Sequence, residues 1–159
     1  MYHLDLGASV APSDDDFLRR FEDLTLPASA FRHADHVRLA WLYVRRDGLG
    51  GALDGLRVGI RRFATHHGAP GKYHETVTCA AVVLVHERVH RTSEATDWPA
   101  FAEANPDLLR WEGGAFFDHY PPSIVDQEDA RHVFVLPTKK GVAASTGHAR
   151  DYDPNRGPP

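Results

Sequence analysis

The chain has 159 residues and a net charge of −4 at neutral pH. No apolar stretch approaches the roughly 20 residues of a membrane span, and the acidic balance argues against a nucleic-acid-binding protein, since that class carries a basic surface. The single cysteine, Cys79, excludes an internal disulfide and a cysteine-rich zinc site. Residues 1–12 lack the basic start and apolar run of a signal peptide, so we expect a cytoplasmic protein.

Apolar spacing predicts an all-α fold, a compact helical bundle or orthogonal array over residues 13–138. Residues 1–12 are expected to form a flexible arm, and the polar residues 139–159 a disordered tail. Gly55 and Gly59 either weaken their helix or mark a close approach between helices. The predicted helices cover residues 14–24, 34–46, 50–67 and 73–91, then a short helix capped by Asp97, residues 105–111, residues 115–119 and a turn at 126–131, before the β-prone residues 132–136.

Eleven histidines are the unusual feature of the composition, and two of them lie in the segment Phe31–Ala40. Because His33 and His36 are three residues apart, a helix places both rings on one face, within reach of one metal ion. Neutral imidazole is the commonest protein ligand for zinc, iron, copper and nickel, and Asp35 is expected to orient one ring. The alternative is that His33 caps the helix and His36 is a solvated surface residue.

The second candidate segment, Lys72–Thr78, stands at the start of the most apolar predicted helix. His74 shares a face with Thr78 and therefore points toward the core, where a polar group is either hydrogen-bonded or functional. Glu75 lies about 100° further round the helix. The alternative makes Glu75 a first-turn acid that complements the helix dipole, and His74 a hydrogen-bonded core residue.

The two segments support each other, because each places ligand-type residues at the start of an amphipathic helix. The helix between them allows both starts to lie at the same end of the bundle. His33, His36 and His74 would then form a three-nitrogen site with open positions, which suits a catalytic metal. We therefore predict a divalent metal, Zn²⁺ or Fe²⁺, held by these histidines, with Glu75 as a fourth ligand or as the general base for a bound water.

Other side chains are secondary candidates. His67 is a reserve ligand at the end of the third predicted helix. His86 and His90 also have ligand spacing, but they stand among charged residues and are predicted to form a solvated helix end. Arg131 either binds a substrate carboxylate through two guanidinium nitrogens or makes a surface ion pair, and Tyr73 is expected to orient ligands or substrate.

The segments Phe31–Ala40 and Tyr73–Thr78 resemble a pair of motifs, His-x-x-His and Tyr-His-Glu-Thr-x-Thr, in a family of small bacterial helical proteins. The similarity extends over residues 17–137 and includes residues 105–109 and Ala130-Arg131. No reaction is attached to that family. The resemblance therefore implies nothing about the substrate, and it implies a functional role for the four polar residues of the motifs: His33, His36, His74 and Glu75.

Three functions are consistent with these patterns. The first is a metal-dependent enzyme of small-molecule metabolism or biosynthesis, with lyase, hydrolase or oxygenase chemistry, in which Asp35, Tyr73 and Arg131 position ligands or substrate. The second is a metal-free lyase, isomerase or cyclase that uses the same histidines and Glu75 as acid–base groups. The third is a non-enzymatic helical binding module. The expected partner is a small molecule, with no nucleic acid and no membrane, and a homodimer is left open.

Overall fold

The computed structural model describes residues 13–138, so the predicted arm and tail lie outside the described residues. Seven α-helices form most of this part of the chain, and no β-strand occurs in it. The predicted all-α fold is confirmed. The helices are α1 (Asp14–Glu22), α2 (His33–His66), α3 (Glu75–Arg91), α4 (Trp98–Ala104), α5 (Ala115–His119), α6 (Pro122–Val125) and α7 (Glu128–His132), with short 3-10 turns at Ala28–Ala30 and Pro70–Lys72.

The long helix α2 is interrupted at Gly48. This residue has φ +68° and ψ −174°, a conformation that glycine adopts without the steric cost that a side chain would bring. Residues 33–47 and 49–66 are therefore two helical limbs, as the sequence predicted from the same glycine. The bend turns the chain within α2, so that the second limb packs beside the first.

Gly55 and Gly59 mark close approaches between helices. A Cβ atom at Gly55 would lie 2.5 Å from the ring of Tyr43, and one at Gly59 would lie 2.8 Å from the ring of Phe21. Both distances are too short for real contacts, so any larger residue would push the helices apart. Of the two alternatives that the sequence left open, the structure supports close packing.

The hydrophobic core lies between α2 and α3 and is closed by α1 and α4. Burying a large apolar side chain contributes about 1.5–3 kcal/mol. The large apolar side chains with less than 2% exposure are Phe21, Leu39, Val82, Val85 and Phe101.

In the described chain no helix combines the length and the apolar character needed to cross a membrane.

The predicted helix at residues 105–111 is wrong, because Asn105 ends α4 instead of starting a helix. Its side-chain amide donates a hydrogen bond to the carbonyl oxygen of Phe101 at 2.9 Å, and its Oδ1 accepts one from Arg88 at 3.2 Å. The residues that follow form hydrogen-bonded turns. The β-prone residues 132–136 also form no strand.

Candidate functional site

The first turns of α2 and α3 line one cavity of about 320 Å³, which we call the apolar cavity. The two helix starts that carry the sequence motifs therefore meet. Most of the lining is aliphatic or aromatic, and the two histidines of α2 are its most polar members. The lining residues are His33, His36, Val37, Leu56, Ile60, Val77, Thr78, Ala81 and Trp111.

A larger cavity of about 510 Å³, which we call the basic cavity, shares His36 and Ile60 with the apolar cavity. Its volume falls within the range of roughly 300–1,000 Å³ that is usual for small-molecule sites. It has apolar and cationic lining residues and, in the described part of the chain, no carboxylate. The lining residues are Ala28, Phe31, His36, Ile60, Phe63, Ala64, His67, Ala69, Gly71, Lys72, Tyr73 and Arg131.

His33 and His36 each keep one ring nitrogen without a partner. Nε2 of His33 lies 2.9 Å from the carbonyl oxygen of Leu108, and Nδ1 of His36 lies 2.9 Å from that of Arg32. Because a carbonyl oxygen only accepts, these two nitrogens carry the hydrogen. In the neutral rings Nδ1 of His33 and Nε2 of His36 therefore hold a lone pair, and neither has a hydrogen-bond partner within residues 13–138.

Burial lowers the pKa of both imidazoles below the ordinary value of 6.5. The hydrogen bonds to Leu108 and Arg32 oppose this decrease without cancelling it. For His36, the neighbouring His33 lowers the pKa further and Asp35 raises it. Both rings are therefore neutral at pH 7, and a neutral imidazole with a free lone pair is a proton acceptor.

His74 has a structural role that differs from the predicted one. It is the N-cap of α3, since Nδ1 accepts a hydrogen bond from the backbone N–H of Val77 at 3.3 Å. Nε2 donates to the carbonyl oxygen of Val125 at 3.0 Å. Both ring nitrogens are occupied, so none is left for a metal ion or a substrate. The alternative of a hydrogen-bonded core histidine matches this geometry.

Glu75 is a buried carboxylate with only 3% exposure, held in place from several sides. Its oxygens accept a hydrogen bond from the Tyr73 hydroxyl at 2.6 Å and lie 2.6 Å from Nε of Arg57 and 2.9 Å from the guanidinium of Arg61. Burial alone would raise the pKa of Glu75, but the Tyr73 hydroxyl and the two guanidinium groups hold it below its usual value. Cys79 contacts the same carboxylate at 3.7 Å, and burial raises the pKa of its thiol to about 11.

Thr76 completes the polar start of α3. It is 1% exposed, and its hydroxyl donates to the carbonyl oxygen of Val133 at 2.9 Å while accepting from the N–H of Val135 at 3.1 Å. The extended chain after α7 therefore makes its backbone hydrogen bonds at Val133 and Val135 with the side chain of Thr76, and it is not part of a β-sheet within residues 13–138. His74 and Thr76 together hold the segment between Val125 and Val135 over the start of α3.

The predicted metal-ligand set is not assembled in this structure. Across residues 13–138, no group of three or more histidine, cysteine, aspartate or glutamate side chains could hold a metal ion. The reason is visible at α3, where His74 and Glu75 direct every polar atom to protein partners. His33 and His36 remain together at the apolar cavity, without a third ligand.

The three supporting residues of the prediction have separate positions. Asp35 caps α2, since its carboxylate accepts a hydrogen bond at 2.8 Å from the backbone N–H that precedes the helix. Tyr73 lines the basic cavity but donates its hydroxyl to Glu75, and burial followed by this bond raises the pKa of the phenol to about 12. Arg131 lines the basic cavity and donates to the carbonyl oxygen of Gly71 at 3.2 Å.

Sequence reasoning missed two cations, Arg57 and Arg61, and gave no role to a third, Lys72, which it had placed in the second candidate segment. Arg57 and Arg61 are the partners of Glu75, and their spacing of four residues on a predicted helix was the signal that they share a face. Lys72 lines the basic cavity, and its place beside Tyr73 in the chain was the only signal for it.

Comparisons with models of protein families, with curated proteins and with solved structures gave no match to this chain.

Proposed function

We propose that this chain is a metal-free acid–base enzyme of the lyase or isomerase type, in which Nε2 of His36 moves a proton on a small molecule bound in the two adjoining cavities. One observation carries this proposal. His36 is the only histidine that lines both cavities, and its Nε2 has no partner within residues 13–138. A polar atom left free at a partly buried site is available to a ligand.

The proposed chemistry needs only this ring. Nε2 of neutral His36 takes a proton from a carbon of the substrate, and the imidazolium then returns the proton to another atom, in an isomerisation, or to a leaving group, in an elimination. The bond from Nδ1 to the Arg32 carbonyl fixes the tautomer that leaves Nε2 basic. The other titratable groups around the ring are His33, Asp35, His67, Lys72, Tyr73 and Arg131.

Metal-dependent chemistry at the predicted four-residue set has less support, because His74 and Glu75 already use their polar atoms in the fold. A binding module without catalysis requires no proton acceptor, and it gives no reason for the free Nε2 of His36. The two remaining readings are therefore separated by measuring whether that nitrogen acts as a base.

The test uses 5-nitrobenzisoxazole, a neutral aromatic carbon acid. Removal of its C3 proton breaks the N–O bond and gives a coloured cyanophenolate, with no co-reactant. We expect the full-length chain to accelerate this elimination at pH 7 in the presence of a chelator, and the rate to fall only below pH 6.5, because the pKa of His36 is lowered. His36→Gln should reduce the rate about 100-fold or more, as expected for loss of a general base.

The control variant is His119→Gln, which removes a histidine that is exposed and lines neither cavity. It should leave the rate unchanged. A His36→Gln protein that matches the wild type would overturn the proposal, and so would a rate that disappears with chelation. NMR titration of the ring protons gives the second readout, and a pKa for His36 above 6.5 would contradict the neutral base.

A further inference from the structure

The basic cavity combines two cationic side chains with an apolar wall. Lys72 lies in the 3-10 turn before α3, and Arg131 lies on α7. Phe31 and Phe63 also line this cavity, with their ring centroids 4.8 Å apart. The cavity therefore offers both cationic groups and an aromatic surface to one ligand.

The two cations are not neutralised by the protein. Neither Lys72 nor Arg131 forms an ion pair within residues 13–138, although the whole chain has a net charge of −4 and most other arginines near the core have acidic partners. Arg131 uses one guanidinium nitrogen for the Gly71 carbonyl and keeps the rest of its donors. Glu128 lines an adjoining groove with Arg131, but it contacts His132 at 3.0 Å.

We infer that the basic cavity binds the carboxylate of a small organic acid through Lys72 and Arg131, with an aromatic or branched apolar body packed on Phe31 and Phe63. This inference rests on the proposed function and deepens it, because it names the substrate class of the same site. Guanidinium and ammonium groups form strong charge-assisted hydrogen bonds with carboxylates. The ligand body then extends toward His36, which places a carbon near its free nitrogen.

The structure favours a monoanion over a phosphate ester. The cavity lies beside Ala64 and His67 at the C-terminal end of α2, where the helix dipole is negative and disfavours added negative charge. Only two cationic groups are present to balance a ligand. A carboxylate needs a single compensating charge, and the second cation offsets the unfavourable dipole.

The experiment is an NMR titration of the ¹⁵N-labelled full-length chain with three probes. Phenylacetate has both the charge and the body, phenylacetamide has the body alone, and acetate has the charge alone. We expect phenylacetate to bind about 100-fold more tightly than phenylacetamide, which is the effect of two charge-assisted hydrogen bonds of about tenfold each, and about tenfold more tightly than acetate. Arg131→Gln and Lys72→Gln should each weaken phenylacetate binding about tenfold and leave phenylacetamide binding unchanged.

The matched control is Arg110→Gln, at an exposed arginine outside both cavities, which should bind phenylacetate as the wild type does. The Lys72 side chain is exposed and makes no hydrogen bond within residues 13–138, so its variant tests the inference even if Arg131→Gln perturbs the fold. Equal binding of phenylacetamide and phenylacetate would overturn the inference, and so would phenyl phosphate binding tenfold more tightly than phenylacetate. Because binding needs no turnover, carboxylate binding without His36-dependent elimination contradicts the proposed function alone.

Discussion

The starts of α2 and α3 look alike in sequence and differ in what their polar atoms do. At the start of α2, His33 and His36 each bind one backbone carbonyl and keep one nitrogen free beside a cavity. At the start of α3, His74 and Thr76 direct every side-chain polar atom to the backbone of the C-terminal segment or of their own helix. Both starts are histidine-bearing first turns of amphipathic helices.

This difference separates a candidate binding site at α2 from a structural contact at α3. We call that contact, in which His74 and Thr76 bind the backbone of Val125, Val133 and Val135, the clasp. Polar atoms in the start of α3 are buried and fully satisfied, which is what a stable fold requires of them. The start of α2 keeps two basic nitrogens that no protein group binds within residues 13–138, so they remain accessible to a ligand at the cavity. Substitutions should therefore affect stability at α3 and chemistry at α2.

The largest expected effect comes from Glu75→Ala. Removing this carboxylate leaves the Tyr73 hydroxyl without its acceptor and brings the like charges of Arg57 and Arg61 together without compensation. Because both guanidinium groups are roughly half exposed and regain water, the main loss is that of the hydrogen bonds to the buried carboxylate. We expect the free energy of unfolding to fall by about 2–3 kcal/mol, measured by urea denaturation. Glu112→Ala, at an exposed glutamate without an ion pair in the described chain, should change it by less than about 0.5 kcal/mol.

If Glu75→Ala and Glu112→Ala lowered the free energy of unfolding equally, the contacts of Glu75 with Tyr73, Arg57 and Arg61 would not stabilise the fold. Ligand binding provides a second measurement on the same proteins. The Glu75→Ala protein should still bind phenylacetate under conditions in which it remains folded, because Glu75 lines neither cavity.

A smaller effect is expected from two isosteric variants of α3. Thr76→Val removes the hydrogen bonds to Val133 and Val135 and should cost about 1–2 kcal/mol, with faster hydrogen exchange of the Val135 amide. Thr78→Val changes a hydroxyl that faces the apolar cavity and should cost less than about 0.5 kcal/mol. Equal losses in the two variants would show that the clasp does not hold the C-terminal segment.

The smallest effect concerns pH. In the unfolded chain the histidines titrate near 6.5, whereas burial keeps folded His33 and His36 neutral to lower pH. The folded state therefore binds fewer protons below pH 6.5, and the free energy of unfolding decreases as the pH falls through that range. Glu75, whose pKa is lowered from 4.5, loses its contribution only at still lower pH.

The double variant His33→Gln/His36→Gln isolates the first of these two ranges. It should flatten the pH dependence just below 6.5 and leave the decrease below 4.5 in place. Denaturation curves at a series of pH values measure both. A double variant with the wild-type slope would contradict the lowered pKa of the two rings.

Most of the helices could be predicted from the sequence, because apolar spacing and helix-ending residues are local signals. The residues Leu56, Ile60 and Phe63 recur at helical spacing and are buried, and Gly48 ends the first limb of α2 as its conformational freedom suggests. The roles of His74 and Thr76 were beyond reach. Their partners lie more than 50 residues away in the chain, and no local pattern encodes such a pairing.

The same reason explains the error at residues 105–111. Asn105 followed by proline is typical of a helix start, but here Arg88 of α3 binds its side chain, and Asn105 ends α4 instead. For the candidate site, spacing identified His33 and His36 as neighbours on one face. It did not predict which nitrogen of each ring would remain free, since that depends on the carbonyl of Leu108 for one of them.

The clasp formed by Thr76 also has a consequence for synthesis of the chain. Thr76 leaves the ribosome well before Val133 and Val135, which are its partners in the folded protein. Until those residues emerge, a hydroxyl intended for the interior has only water to bind, and α3 has no cover for its first turn. We therefore expect the first turn of α3 to be the last part of that helix to become ordered during synthesis, with its closure delayed until the C-terminal segment arrives.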